Sequence, residues 1–181
     1  MIERYFVLIE RIKVMRKGRI IFLNGVTSTG KTSIVNEIFT REGQLYYALS
    51  YDLFEETIPG WAVEEGTHYS EAIIAMYYAA CGFSNQGRDV LIDGLIMNLP
   101  GLEEHYKKLR QIFVGYPLEI VEVYCPLEIC RKRNIERGDR AENKSEKQME
   151  IMEKNITYNY TIDTNKHSVT ECVNLILKFC N

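Results

Sequence analysis

The sequence predicts an α/β fold, a parallel sheet of five strands with helices on both faces. Three observations predict it. Short apolar runs alternate along the chain with longer stretches of helical period, the order that builds strand–helix–strand crossovers. Several of those runs are apolar almost without a break, as strands covered on both faces must be. Between the first run and the first helical stretch lies a glycine-rich turn ending in Gly-Lys-Thr.

Size and charge narrow the classes further. The 181 residues suit one domain with a proper core. With 46% hydrophobic and 26% charged residues the composition is that of an ordinary globular protein. A formal charge of −3 excludes a binder that relies on neutralising nucleic-acid phosphates, so no nucleic acid is expected as a partner. Five cysteines, none in a Cys-x-x-Cys pair, read as reduced thiols in a cytoplasmic protein rather than a zinc site or disulfide framework.

Residues 1–18 form an N-terminal extension to a domain spanning 19–181. Its apolar run, Tyr5 to Ile9, is too short for a signal-peptide core or a membrane span, so no membrane association is expected. Phe6, Ile9 and Lys13 fall at helical spacing and predict an amphipathic helix packed on the domain. Translation starting at Met15 is the alternative, which would make the segment an accidental extension.

Strands are expected at 19–24, 44–50, 89–93, 119–125 and 160–163, each bounded by Gly, Asp, Asn or Pro. Helices are expected at 31–41, 69–85, 102–113, 126–137, 145–156 and 168–179. In the second of these Ile73, Met76, Tyr77 and Ala80 make one apolar face. Pro126 suits the first turn of the helix that follows Cys125. Residues 57–68, with Pro59, Gly60 and Gly66, and the charged stretch 138–147 read as flexible connectors.

Gly25-Val26-Thr27-Ser28-Thr29-Gly30-Lys31-Thr32 fits Gly-x-x-x-x-Gly-Lys-Ser/Thr without a gap. A loop of this kind turns its backbone N–H groups inward around phosphates, and the helix behind it offers its positive end. Chance produces such a match in fewer than roughly one chain in a hundred of this size. Lys31 is placed to reach the β- and γ-phosphates and Thr32 to ligate Mg²⁺. Thr27, Ser28, Thr29 and Ser33 add hydroxyls for nucleotide contacts.

In an open parallel sheet, ligands lie beyond the carboxyl ends of the strands. Two acids end strands there. Asp52 follows the second strand and suits a general base, although Asp52-Leu53-Phe54-Glu55 also reads as a helix cap with its capping-box glutamate. Asp93 ends the third strand and suits a Mg²⁺ ligand, its alternative being the start of an Asp-Gly turn with Gly94. Arg133, Arg137 and Arg140 lie along a helix end and past Gly138, matching a lid whose guanidinium forks hold phosphoryl oxygens. A solvated basic face paired with Glu128, Glu136 and Asp139 competes with that reading; Lys132 and Lys144 read as solvated.

The segments NGVTSTGKTSIV, YDLFEETIP, VLIDGL, YCPLEICRKRNIERGDR and YTIDTNKHSVTEC occur in the order and at about the spacing of the chloramphenicol phosphotransferase-like proteins. The chain resembles that family over roughly residues 19–180. The resemblance implies a three-layer P-loop NTPase fold, nucleoside-monophosphate-kinase-like, with an arginine-bearing lid. It implies transfer of the γ-phosphate of ATP to an alcohol of a small molecule. It puts the catalytic base on Asp52, the phosphate-binding arginines on Arg133, Arg137 and Arg140, and the nucleotide base near Asp163 and Thr164.

The chain departs from the family in its 1–18 extension and in the acceptor segment 53–87, which matches loosely. That segment offers Phe54, Trp61, His68 and Tyr69 and no lysine or arginine, which favours an uncharged acceptor. Lys107, Lys108 and Arg110 are the cations able to approach from elsewhere. The expected activity is an ATP- and Mg²⁺-dependent small-molecule kinase, with Asp52, Lys31, Arg137 and Arg140 in catalysis. A kinase of a nucleotide, a nucleotide sugar (zeta-toxin-like) or a shikimate-type acid is the alternative, as is a non-kinase nucleotide-binding regulator. The absence of an Asn-Lys-x-Asp motif leans toward ATP over GTP.

Overall fold

The computed structural model describes residues 16–63, 68–139 and 141–180. Five strands, β1 (Ile20–Asn24), β2 (Tyr46–Ser50), β3 (Asp89–Gly94), β4 (Leu118–Tyr124) and β5 (Tyr160–Asp163), pair in parallel in the order β2-β3-β1-β4-β5. Eight helices join them among the described residues. They are α1 (Lys31–Phe39), α2 (Tyr51–Glu55), α3 (Gly60–Val63), α4 (His68–Asn85), α5 (His105–Ile112), α6 (Leu127–Arg137), α7 (Lys144–Ile151) and α8 (Val169–Phe179). This is the P-loop NTPase architecture. The helix expected at the N-terminus lies outside the described residues through residue 15, and residues 16–18 carry no helix.

Alternation along the strands sorts the core into two layers. Ile20 and Phe22 of β1, with Val90, Ile92 and Ile120, face α4 and α5 through Ile73, Met76, Tyr77, Ala80 and Leu109. Ile21 and Leu23, with Leu91, Val121 and Val123, face α1 and α8 through Ile34, Ile38, Val173 and Ile176. All five β1 residues are buried, and each large apolar side chain so buried contributes about 1.5–3 kcal/mol. The central strand can therefore carry no polar group except at its end. At the opposite ends of the strands, Arg19 pairs with Asp89 at 2.6 Å and donates to Tyr46 and to the Cys180 carbonyl, tying β1, β2, β3 and α8 together.

Several boundaries differ from expectation. The short helices α2 and α3 were not among the expected helical stretches, although the alternative reading of Asp52 as a cap implied a helix start near α2. The helix expected at 145–156 stops at Ile151 because the following backbone pairs with the loop after β3. That at 102–113 begins at His105. Pro126 precedes the first turn of α6 instead of lying in it. Residues expected to be flexible are helical at 60–63, 68 and 144–147. All five cysteines are buried free thiols. No helix among the described residues is long and apolar enough to cross a membrane.

A buried polar chain supports the loop that follows β3. The Tyr51 and Tyr77 hydroxyls lie 2.7 Å apart, Tyr77 Oη lies 2.5 Å from His105 Nε2, and His105 Nδ1 lies about 3 Å from both the N–H and the C=O of Met97. Donation can run in two directions: either Nδ1–H donates to the Met97 carbonyl and Nε2 accepts from Tyr77, or Nδ1 accepts from the Met97 N–H and Nε2–H donates to Tyr77. In each the ring carries a single proton. Burial pushes the His105 pKa down to about 4, against a smaller opposing effect of the Met97 bond. Above pH ~6.5 both folded and unfolded chains hold the ring neutral and its burial carries no protonation penalty. As pH falls from about 6.5 toward 4, only the unfolded chain takes up this proton, and stability falls by on the order of 3 kcal/mol. Urea unfolding near pH 7 and pH 4.5 should therefore show a smaller stability difference in His105→Gln, by about 2–3 kcal/mol. An unchanged difference would count against the buried neutral ring.

Candidate active site

The chain leaves β1 for α1 at the point where the sheet's connections diverge, toward β3 and β2 on one side and β4 and β5 on the other. Sheets of this kind open a crevice at that point. A cavity of about 380 Å³ lies there, lined by Gly25, Thr27, Ser28 and Gly30 to Ser33 of the glycine-rich loop, together with Asp52, Asp93, Arg133, Arg137 and Thr164. Residues separated by up to 139 positions in sequence thus share one space.

The loop is shaped for close approach. Ser28 has φ 61° and Gly30 φ 102°, both left-handed; at Gly30 this costs a glycine little and lets Lys31 begin α1 facing the cavity. Lys31 Nζ donates to the carbonyls of Gly25 at 2.7 Å and Val26 at 3.1 Å and lies 3.6 Å from Asp93 Oδ1. Thr32 Oγ1 donates to Asp93 Oδ2 at 2.7 Å. The Thr29 side chain turns back onto the Val26 carbonyl at 3.0 Å and is buried, where it holds the loop rather than lining the cavity. Ser33 lies on the cavity wall.

Asp93 is not part of a turn. Gly94 continues β3, pairing with Asn24, so the Asp-Gly alternative falls away. Glycine is required at 94 because a Cβ would stand 2.7 Å from the Tyr51 ring and 2.9 Å from Phe22. The hydroxyl of Thr32 and the carboxylate of Asp93 form a hard oxygen pair of the kind Mg²⁺ takes, so the residues present fit that ion.

Asp52 is not the cap of α2. Ser50 is, its Oγ accepting from Leu53 N at 3.1 Å. Because β2 pairs through Ser50, opposite Asp93, the helix begins immediately after the strand and Asp52 falls in its first turn. Its exposed carboxylate has no hydrogen bond or ion pair among the described residues and faces the cavity beside Tyr69. Burial pushes the Tyr69 phenol up, and the Glu55 and Asp52 carboxylates add to the shift.

The arginines separate. Arg133 donates to the Ser28 carbonyl at 3.2 Å, to Thr164 Oγ1 at 3.1 Å and to the Thr164 carbonyl at 3.2 Å, while Thr164 Oγ1 donates to the Thr29 carbonyl at 2.6 Å. It thus clamps the loop after β5 to the glycine-rich loop. Arg137 lines the cavity and pairs with Asp139 at 3.3 Å, and Arg140 lies outside the described residues. The stretch expected as a lid is short: α7 starts at Lys144 and packs on α6, Arg131 holding Glu146 at 2.7 Å.

The acceptor segment contributes less than expected. Of Phe54, Trp61, His68 and Tyr69, only Tyr69 lines the cavity; Trp61 is 70% exposed and His68 pairs with Glu71 at 3.2 Å. Tyr51, Leu95 and Met97 form the wall instead. Lys144 and Lys132 are both exposed, as expected; Lys144 also borders the cavity, and Lys132 lies 3.9 Å from Glu136. Gln148 and His167 also line the cavity and were missed. A neutral glutamine on an amphipathic helix carries no motif, whereas His167, just past the Asp-Thr that ends β5, was open to discovery from its position.

Solved structures with this fold include an APS kinase from Mycobacterium tuberculosis in complex with AMPPNP and APS, at 14% identity and TM-score 0.66 over 90% of this chain and 97% of that one. A gluconokinase from Sinorhizobium meliloti matches at 18% identity and TM-score 0.60 over 91% and 92%. The tunicamycin resistance protein of Deinococcus radiodurans matches at 15% and 0.58 over 90% and 95%. No curated protein matches the sequence. The family model described as chloramphenicol phosphotransferase-like protein matches residues 18–181, and the chain belongs to that family of P-loop nucleotide-binding kinases.

Proposed function

We propose that the protein transfers the γ-phosphate of ATP to a hydroxyl of a small uncharged molecule, with Asp52 as the base. The observation that carries this reading is the Asp52 carboxylate, which has no hydrogen bond or ion pair among the described residues. It faces the same cavity as Lys31, Thr32 and Asp93, while Ser50 caps the helix in its place. A carboxylate in that position can orient an alcohol and accept its proton as the oxygen attacks phosphorus.

Lys31 and the inward backbone of the glycine-rich loop hold the phosphates, and Arg137 adds a guanidinium to the charge that develops on transfer. Arg133 and Thr164 fix the wall against which the nucleotide base lies. Thr32 and Asp93 would hold Mg²⁺, which would supply charge neutralisation to the phosphates.

The acceptor wall of Tyr51, Tyr69, Leu95 and Met97 contains no cation. Lys107 is paired with Glu104 at 3.0 Å and Lys108 donates to the Gly101 carbonyl at 3.1 Å, both away from the cavity. A phosphate or carboxylate on the acceptor would meet no cation on this wall, the cavity's described cations, Lys31, Arg133, Arg137 and Lys144, standing on other elements, and burying it there without a partner disfavours it. A panel of alcohols, with ADP release measured over the water-only background, tests the proposal. Stimulation by neutral alcohols is expected. Stimulation restricted to phosphorylated or carboxylated acceptors would overturn the uncharged reading, and none at all would favour a nucleotide-binding regulator.

A further inference from the structure

Gln148 is the one polar side chain that α7 sends into the cavity from its middle turns. Its Oε1 accepts from the backbone N–H of Thr27 at 2.6 Å. An N–H group can be met only by the oxygen of a carboxamide, so this bond settles which end is which. The –NH₂ end is directed away from Thr27 and has no partner among the described residues. It belongs to a half-buried side chain that shares its cavity with Lys31, Asp52 and Asp93.

The surrounding bonds hold this amide in place. Ser145, one turn earlier on α7, donates to the Thr27 carbonyl at 3.1 Å and accepts from Asn134 of α6 at 2.9 Å, and both residues are fully buried. Ser28 Oγ donates to Asn134 Oδ1 at 2.7 Å. At the far end of α7, Asn98 N donates to the Ile151 carbonyl at 2.8 Å and Glu153 N to the Ile96 carbonyl at 2.9 Å. One helix therefore ties the phosphate loop to the segment carrying Met97 of the acceptor wall, and Gln148 stands on it between the two. The loop is already braced by Ser145 and Asn134, so bracing alone does not require an amide with a second, donating end.

We propose that Gln148 donates through Nε2 to the terminal phosphoryl group and so makes the site prefer a nucleoside triphosphate to a diphosphate. This rests on the nucleotide reading above. Lys31 and Arg137 bring charge to the same cavity, each standing near a carboxylate, Asp93 and Asp139. A neutral donor held rigidly by its own oxygen supplies a directed hydrogen bond with no charge to balance.

The test is calorimetric binding of ADP and of a non-hydrolysable ATP analogue, each with Mg²⁺, to wild type, Gln148→Met and Gln148→Glu. A hydrogen bond to a charged group corresponds to about tenfold or more in affinity. The ratio of analogue to ADP affinity should fall by about that factor in Gln148→Met, and further in Gln148→Glu, whose charge opposes the terminal phosphate. A purely structural role lowers both affinities and the melting temperature together and leaves the ratio unchanged, which would overturn the proposal. Because Gln148→Met adds no charge and keeps the length of the side chain, it decides the matter even if Gln148→Glu does not fold. Wild-type protein that binds neither nucleotide would sink the reading of the cavity itself, a result distinct from an unchanged ratio.

Discussion

Asp52→Asn is expected to bind ATP as the wild type does and to lose phosphoryl transfer by about 10³-fold, within the range of a positioned general base. Asparagine keeps the shape and can still orient a hydroxyl, but it cannot take the proton. The structure makes this substitution unusually clean. Asp52 caps nothing, since Ser50 holds Leu53 N, and its carboxylate enters no hydrogen bond or ion pair among the described residues. Loss of folding is therefore not expected, and unchanged melting should accompany the lost activity. ADP release with a competent acceptor, set beside nucleotide affinity, is the measurement. Wild-type turnover in this variant would remove Asp52 from the chemistry.

The second large effect is expected at Lys31. Its ammonium sits on the Gly25 and Val26 carbonyls and 3.6 Å from Asp93, with 11% of the side chain exposed. Lys31→Met removes the one cation inside the loop while keeping its apolar stem. Transfer should fall by about 10²–10³-fold, as when a donor to developing charge is deleted, and ATP affinity should weaken alongside it. Affinity and turnover failing together would separate this variant from Asp52→Asn. Lys31→Arg should rescue poorly, because a planar fork cannot occupy a niche built for a point charge between two carbonyls. Full activity in Lys31→Arg would show that charge alone is required there.

Much of the fold was legible along the chain. The five strands fall within two residues of their expected ends because buried parallel strands are short apolar runs with sharp polar boundaries. The face Ile73, Met76, Tyr77 and Ala80 is buried as its spacing demanded. The five residues of α2 escaped because so short a helix shows no 3.6-residue period. The alternative reading of Asp52 as a cap falls for a related reason. Ser50 and Asp52 are both good caps, and only the pairing of Ser50 opposite Asp93 shows that the strand runs directly into the helix.

Local chemistry determined by itself the phosphate loop, the sheet that carries it and the acids that end its strands. Each of these follows from residue type at fixed short spacing. Which of them meet was a tertiary matter. The Thr32–Asp93 contact spans 61 positions, Arg133 reaches Thr164 across 31, and the Thr27–Gln148 bond spans 121. No sequence period encodes contacts of that range. They exist because parallel strands deliver their carboxyl ends to one edge, and because α7 packs back across that edge instead of standing away from it.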